Sequence, residues 1–263
     1  MQNQDSKVDI VAKVPQVTLL FWIIKILATT LGETGGDAVT MSWLGETTSE
    51  AKGTGYLIGT AIFGAIFVVA VRVQIKARRF HPFLYWLTIV ATTTVGTTLA
   101  DCCDRSLGIG YTGGSTILLV CVIASLLIWK WSTGSISIET VNTPKVEIFY
   151  WVTIMFSQTL GTALGDWVAD TNDVGYLGAA AVFGVALLVT ALLYYFTSIS
   201  RVILFWCAFI LTRPLGATVG DFLDKAHTEG GLALSRYTAS FALLVVIVAL
   251  ILIFRQRPAS KAH

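Results

Sequence analysis

Long apolar runs follow one another along almost the whole chain, broken by short polar stretches. A helix needs about 20 mostly apolar residues to cross a hydrocarbon core. Runs of that length predict spans over roughly 17–41, 55–75, 83–103, 111–131, 147–168, 176–197, 201–223 and 235–254. Eight helices in 263 residues leave no room for a soluble domain. The expected fold is all-α and polytopic, one transmembrane domain covering 1–263, with any function held within or between its helices.

Polar positions inside these runs recur in register. Trp22, Gly32 and Asp37 are matched by Trp86, Gly96 and Asp101, by Trp151, Gly161 and Asp166, and by Trp206, Gly216 and Asp221. Trp to Asp is fifteen residues each time, with Gly at the tenth. With 8 Trp and 10 Asp in the chain, chance supplies about 0.3 such pairs. Four tandem two-helix repeats follow, over about 17–75, 83–131, 147–197 and 201–254. The second helices echo one another more faintly, as in Gly55-Tyr56-Leu57 and Gly175-Tyr176-Leu177. Two spans per repeat make successive repeats parallel, so the pseudo-symmetry axis is expected along the membrane normal.

Composition agrees: 55% of residues are hydrophobic, only 13% charged, and the mean hydropathy is +0.74. Charge sets the orientation. Lys7, Lys13, Arg72, Lys76, Arg78, Arg79, Lys130, Lys145, Arg201, Arg255, Arg257 and Lys261 fall at one side, against Lys52, Arg105, Lys225 and Arg236 at the other. The basic side is cytoplasmic by the positive-inside rule, so both termini are expected inside. The net charge of +2 is then a matter of topology and implies no nucleic-acid partner. The first 14 residues mix acids with bases and contain no apolar run, so no cleavable signal peptide is expected.

With Trp22, Trp86, Trp151 and Trp206 and their Gly and Asp partners, the chain resembles the bacterial membrane proteins built from four tandem two-helix repeats and labelled as of unknown function. The resemblance implies this architecture and a bacterial inner-membrane location. It implies no activity.

Small residues four apart let helices approach closely in lipid. Gly32 with Gly36, Gly96 with Ala100, Gly161 with Gly165 and Gly216 with Gly220 supply such a face to every odd helix. The odd helices are therefore expected at the bundle centre and the even ones outside. At about 100° per residue, positions 0, 7, 11, 14 and 18 after each Trp share a stripe, and it is mostly small or polar. A polar stripe in lipid turns toward other helices or water.

Asp37, Asp101, Asp166 and Asp221, at matched depth near the outer ends, are candidates for attracting or binding a cation. The alternative is a structural, interfacial role. Outer-loop acids Glu46, Glu50, Asp104, Asp170, Asp173, Asp224 and Glu229 make that face acidic. Lys25, Glu33 and Arg213 lie within spans, where charges are costly and usually paired. A Glu33–Arg213 contact is expected, with Lys25 a turn further in. Glu33 and Asp37 are the candidate metal ligands and proton-relay groups. Pro214 is expected to loosen helix 7.

Cys102-Cys103 without partner ligands is a weak metal site, Cys121 and Cys207 read as packing residues, and the histidines lack ligand spacing. Tyr56, Tyr111, Tyr176 and Tyr237 read as an interfacial belt. No cofactor is expected, and neither a phosphate-binding Gly-Lys-Ser/Thr loop nor a nucleophile–base arrangement supports an enzyme; an enzyme acting on lipid or quinone ranks last. The leading expectation is a small-cation transporter or channel in contact with membrane lipid. Proton coupling is expected with it, and so is a hard divalent ion such as manganese or magnesium. A non-transporting scaffold or sensor with structural charges is the alternative.

Overall fold

The computed structural model describes residues 12–47, 53–170 and 174–259. Lys7, Glu50, Lys52, Asp173, Lys261 and His263 lie outside them. Eight α-helices occur among the described residues: α1 (Leu19–Asp37), α2 (Thr54–Lys76), α3 (Pro82–Asp101), α4 (Tyr111–Thr133), α5 (Pro144–Asp170), α6 (Gly175–Phe196), α7 (Arg201–Asp224) and α8 (Arg236–Ile253). No β-strand occurs among the described residues, only an isolated bridge between Pro15 and Pro258. Local chemistry explains several ends. The Thr18 side chain accepts from Phe21 N at 3.3 Å to start α1, and Pro82 opens α3, where its missing N–H costs nothing. Gly134, at φ 79°, ends α4 in a left-handed turn that favours glycine. After Asp37 and Asp101 the chain widens into π-helical turns, Ala38–Trp43 and Cys102–Ser106.

Among the described residues, seven helices are long and apolar enough to cross a membrane; α5 is the eighth helix. Its shortfall has a cause: it buries Glu147, Gln158, Thr162 and Asp166 against other helices. The rest of the pattern sorts the helices into two shells. In α1 and α3 most of the apolar window is buried, while α2, α4, α6 and α8 are more hydropathic and largely uncovered. Leu57, Val69, Ile117, Leu127, Val185 and Phe241 point outward from these four. An apolar face this extensive, wrapped around a polar interior, is the reverse of a soluble bundle.

The inner helices pack as a closed cycle, α1 on α3, α3 on α5, α5 on α7 and α7 on α1. One contact repeats at each step: the glycine ten residues after the Trp receives the next helix at its position seven. A methyl group added to Gly32, Gly96 or Gly216 would lie 3.0, 3.0 or 2.9 Å from the carbonyl carbon of Thr93, Gln158 or Thr29. On Gly161 it would lie 2.5 Å from Arg213 Cβ. One turn on, Gly36 faces Thr97, Gly165 faces Ala217 and Gly220 faces Glu33. Hydroxyls stitch the same interfaces, with Thr93 Oγ1 donating to Ala28 O at 3.2 Å and Thr29 Oγ1 to Thr212 O at 3.1 Å. Helix α7 runs through Pro214 without a break, so the expected loosening leaves no interruption of the helix.

The outer helices are staggered. Each packs mainly on the first helix of the following repeat, α2 along α3, α4 along α5, α6 along α7, and α8 on α1, with α6 also touching α5 of its own repeat. The last repeat thereby closes onto the first.

An aromatic cycle closes one end of the bundle. Each repeat Trp is preceded by a ring, and that ring meets the Trp of the following repeat. Phe21 meets Trp86 at 5.4 Å, Tyr85 meets Trp151 at 5.9 Å, Tyr150 meets Trp206 at 6.2 Å and Phe205 meets Trp22 at 5.8 Å. Residues 12–16, residues 255–259 and the loop before α5 gather beneath this layer. Lys13 N donates to Val141 O at 2.9 Å, Gln16 N to Arg257 O at 2.8 Å and Trp206 Nε1 to Ile136 O at 3.0 Å. Lys13 also pairs with Glu147 at 2.6 Å.

Candidate functional site

Stacked layers of four residues, one from each inner helix, line the axis above the aromatic floor. Three residues after each Trp stand Lys25, Ile89, Ile154 and Phe209; at seven, Thr29, Thr93, Gln158 and Arg213; at eleven, Glu33, Thr97, Thr162 and Ala217. All twelve are buried. The repeat aspartates form the top layer, at 0, 3, 7 and 3% exposure for Asp37, Asp101, Asp166 and Asp221. They therefore do not rim an open mouth, as their place near helix ends suggested; Lys225 of the 225–234 loop lies on Asp37 and Asp221, and Arg105 of the second π-helical turn lies on Asp101.

Arg213 crosses the axis and touches all three other inner helices. Its Nη2 lies 2.9 Å from Glu33 Oε2 and donates to Thr97 Oγ1 at 2.6 Å and to Thr162 Oγ1. Nη1 donates to Thr29 O at 3.4 Å. The structure thus brings Glu33 and Arg213 together, and a guanidinium's fork of donors suits such a hub. Lys25 stays apart from the pair. Its ammonium sits 4.2 Å from the Phe209 ring centre and has no hydrogen-bond acceptor among the described residues. Both amide atoms of Gln158 are buried without hydrogen-bond partners among the described residues.

Lys225 closes the cluster from above. Its ammonium pairs with Asp37, lies 3.0 Å from Asp221 Oδ1 and 3.9 Å from Asp224 Oδ1, and contacts Met41 Sδ at 3.5 Å. Burial alone would lower its pKa, but Asp221, Asp37 and Asp224 outweigh burial and hold it well above the ordinary lysine value. The loop bringing it there folds back on the end of α7, with Leu232 N donating to Phe222 O at 2.7 Å and Ala233 N to Lys225 O at 2.9 Å. Arg105 pairs with Asp101 at 3.1 Å, and Arg236 with Asp224 at 3.3 Å. Asp166 meets no basic side chain within salt-bridge distance among the described residues.

Asp37, Glu33 and Asp221 each offer an oxygen, all within 4.8 Å of one another and all buried. Opposed ligands of a magnesium-sized ion stand about 4.2 Å apart, and those of a calcium-sized ion about 4.6–5.2 Å. The trio has the right scale for a hard cation. Asp101 and Asp166 stay outside it, so four tandem repeats carry a lopsided site on α1 and α7.

Residues 20–80, 84–135, 149–200 and 204–258 each match the Repeat of Unknown Function (DUF347). The chain belongs to this family. No curated protein and no solved structure matches it. Each DUF347 repeat contributes one Trp to the floor, one Gly to the glycine cycle and one Asp to the top layer. The charges of Lys25, Glu33 and Arg213 belong to single repeats and break that equivalence, whereas a base four residues after the repeat Asp occurs in two, as Arg105 and Lys225.

Lys225 and Arg105 are the site residues that sequence reasoning missed, having counted them only toward orientation. Each stands four residues after a repeat Asp, the spacing of a helical ion pair. The ring before each Trp was a second overlooked signal. Three other expectations change. Tyr56 is buried beside Met41 and Cys102 rather than sitting in a belt, because the π-helical turn of α1 covers it. Cys207 is exposed on the outside of α7 and Cys121 is only half-buried, so neither is a core packing residue. Cys102 and Cys103 take no part in the possible metal group found among the described residues.

Proposed function

We propose that the chain spans a membrane eight times, with both termini cytoplasmic and a pseudo-fourfold axis along the membrane normal, and moves a small cation through a site reached from the outer side. The single observation that carries the transport reading is the buried trio Glu33, Asp37 and Asp221 with converging oxygens. The membrane setting is supported by the apolar outer shell, and the orientation by the Lys/Arg distribution. On this reading the structure is occluded, with aromatic rings below the site and Lys225 above it. An arginine across the axis opposes free cation flow, which favours a secondary transporter over an open channel. Lys225 fills the place of a cation between Asp37 and Asp221, so an incoming ion has to displace its ammonium. Carboxylates bind metal deprotonated, so protons compete with the ion, and Glu33 and Asp37 form the coupling pair. Manganese and magnesium are the hard divalent ions that suit this oxygen set, and the bacterial inner membrane is the proposed location.

The test is ion-dependent thermal stabilisation and proteoliposome flux, with a panel of mono- and divalent ions at several pH values. Asp37→Asn and Asp221→Asn are expected to insert and fold, yet lose most of the ion-dependent shift and flux. Asp166→Asn, outside the trio, is expected to lose less. Undiminished ion binding and flux when Asp37, Asp101, Asp166 and Asp221 are all Asn would refute cation recognition by these groups. A scaffold or sensor is the second reading, favoured by the internal pairing of Arg213 and Lys225, and it would then lead.

Orientation has its own check. Reporters fused after residues 50, 79, 107, 140, 172, 199, 229 and 263 should alternate outside and inside, ending inside. A consistently inverted series would overturn the charge argument.

A further inference from the structure

A lateral cavity of about 500 Å³ lies between the start of α1, the end of α6 and the start of α7, within the size range of small-molecule sites. Trp22, Ile26, Leu187, Leu188, Phe205 and Ala208 form an apolar channel along the helices. Its mouth, at the end carrying most of the Lys and Arg, is polar and holds Arg201, Tyr194 and Glu139. Three observations set this place apart. Trp22 alone of the four repeat tryptophans is not fully buried, the other three being at most 3% exposed. Arg201 lies with its guanidinium 4.4 Å from the Tyr194 ring centre and gives a hydrogen bond to Tyr194 O, leaving further donors in its fork. Glu139 Oε1 is buried with no hydrogen-bond partner among the described residues, a costly state for a carboxylate oxygen.

An occupant that satisfies these groups needs an apolar tail, an anionic group for Arg201 and an N–H donor for Glu139. We infer that the cavity binds one phospholipid with an ammonium-bearing headgroup, an ethanolamine phospholipid, from the cytoplasmic leaflet. Its phosphate meets Arg201, its ammonium meets Glu139, and an acyl chain lies along Trp22 and Phe205. A choline headgroup carries the same charges but has no N–H to give Glu139, so the site discriminates by hydrogen bonding rather than by charge. The inference rests on the membrane reading, not on transport.

The full-length chain, purified in detergent, would be titrated with phosphatidylethanolamine, phosphatidylcholine and phosphatidylglycerol. Native mass spectrometry would count bound lipid, and thermal unfolding would report stabilisation. Retention of one phosphatidylethanolamine, at least fivefold over phosphatidylcholine, is expected. Glu139→Gln should erase that preference and Arg201→Gln should weaken both lipids. Ala208→Trp, which fills the channel without touching the mouth, should exclude lipid while leaving the protein folded. Equal retention of phosphatidylcholine, a preference for phosphatidylglycerol, or no response to Glu139→Gln and Ala208→Trp would overturn the inference. So would a dimer that Ala208→Trp dissolves, which would assign the groove to a second copy. Failure of the membrane reading is distinguishable, because the fusion reporters would then not alternate.

Discussion

Arg213→Gln is expected to cut the yield of folded protein severely, Glu33→Gln to do the same, and the double variant to recover part of the loss. Both side chains are buried at the bundle centre, and their ion pair spans α1 and α7 at 2.9 Å. Removing one partner of such a pair strands the other charge, at a cost of about 3–5 kcal/mol, while removing both leaves no charge to solvate. Recovery should be incomplete, because Arg213 also donates to Thr97 and Thr162. Folded yield by size-exclusion chromatography and the apparent Tm of the three variants check this. Strictly additive losses would mean that the two residues do not act together.

Adding a methyl group to the glycine cycle is the second large effect expected. Gly32→Ala, Gly96→Ala, Gly161→Ala and Gly216→Ala should each lower the Tm, with Gly216→Ala among the most damaging. There the new carbon would stand 2.9 Å from the Thr29 carbonyl carbon, and backbone cannot rotate out of the way as a side-chain tip can. Overpacking of this kind costs about 1–3 kcal/mol, more than the roughly 1 kcal/mol that alanine gains over glycine in helix propensity. Gly184 is the internal control. It lies on α6 with nothing within 4 Å of an added methyl group, so Gly184→Ala should leave the Tm unchanged or raise it. Similar losses at Gly184 and Gly216 would show that glycine serves backbone flexibility here rather than close approach.

Much of this architecture is legible in the chain. Apolar run length predicts the helices because the backbone must satisfy itself wherever water is excluded. The recurring Trp, Gly and Asp reveal the repeats, and the family match agrees. The small-residue faces point to the odd helices as the inner shell, and matching the repeats sets Arg213 one turn from Glu33, which points to their contact. These conclusions use only periodicity and spacing along one helix, which the local geometry of 3.6 residues per turn sets.

Other features depend on where separate helices come to rest. No hydropathy pattern tells that α2 leaves its own repeat to lie along α3, because any apolar outer face can cover any inner helix. Asp101 is covered by Arg105 of a π-helical turn, and Asp37 and Asp221 by Lys225 of the 225–234 loop, whose path is set by its own backbone hydrogen bonds. That loop decides that Lys225, to all appearance an exposed base, joins Asp37 across 188 residues of sequence. The four-residue spacing from Asp221 to Lys225 is visible beforehand; the partner on α1 is not. Sequence alone therefore determined the helices, their repeat and which faces turn inward, since these follow from local periodicity and the exclusion of water. The tertiary structure alone decided that Lys225 meets Asp37 and that Lys25 stays apart from the Glu33–Arg213 pair, because a few ångströms of helix offset and one loop path choose among partners that the sequence leaves equivalent.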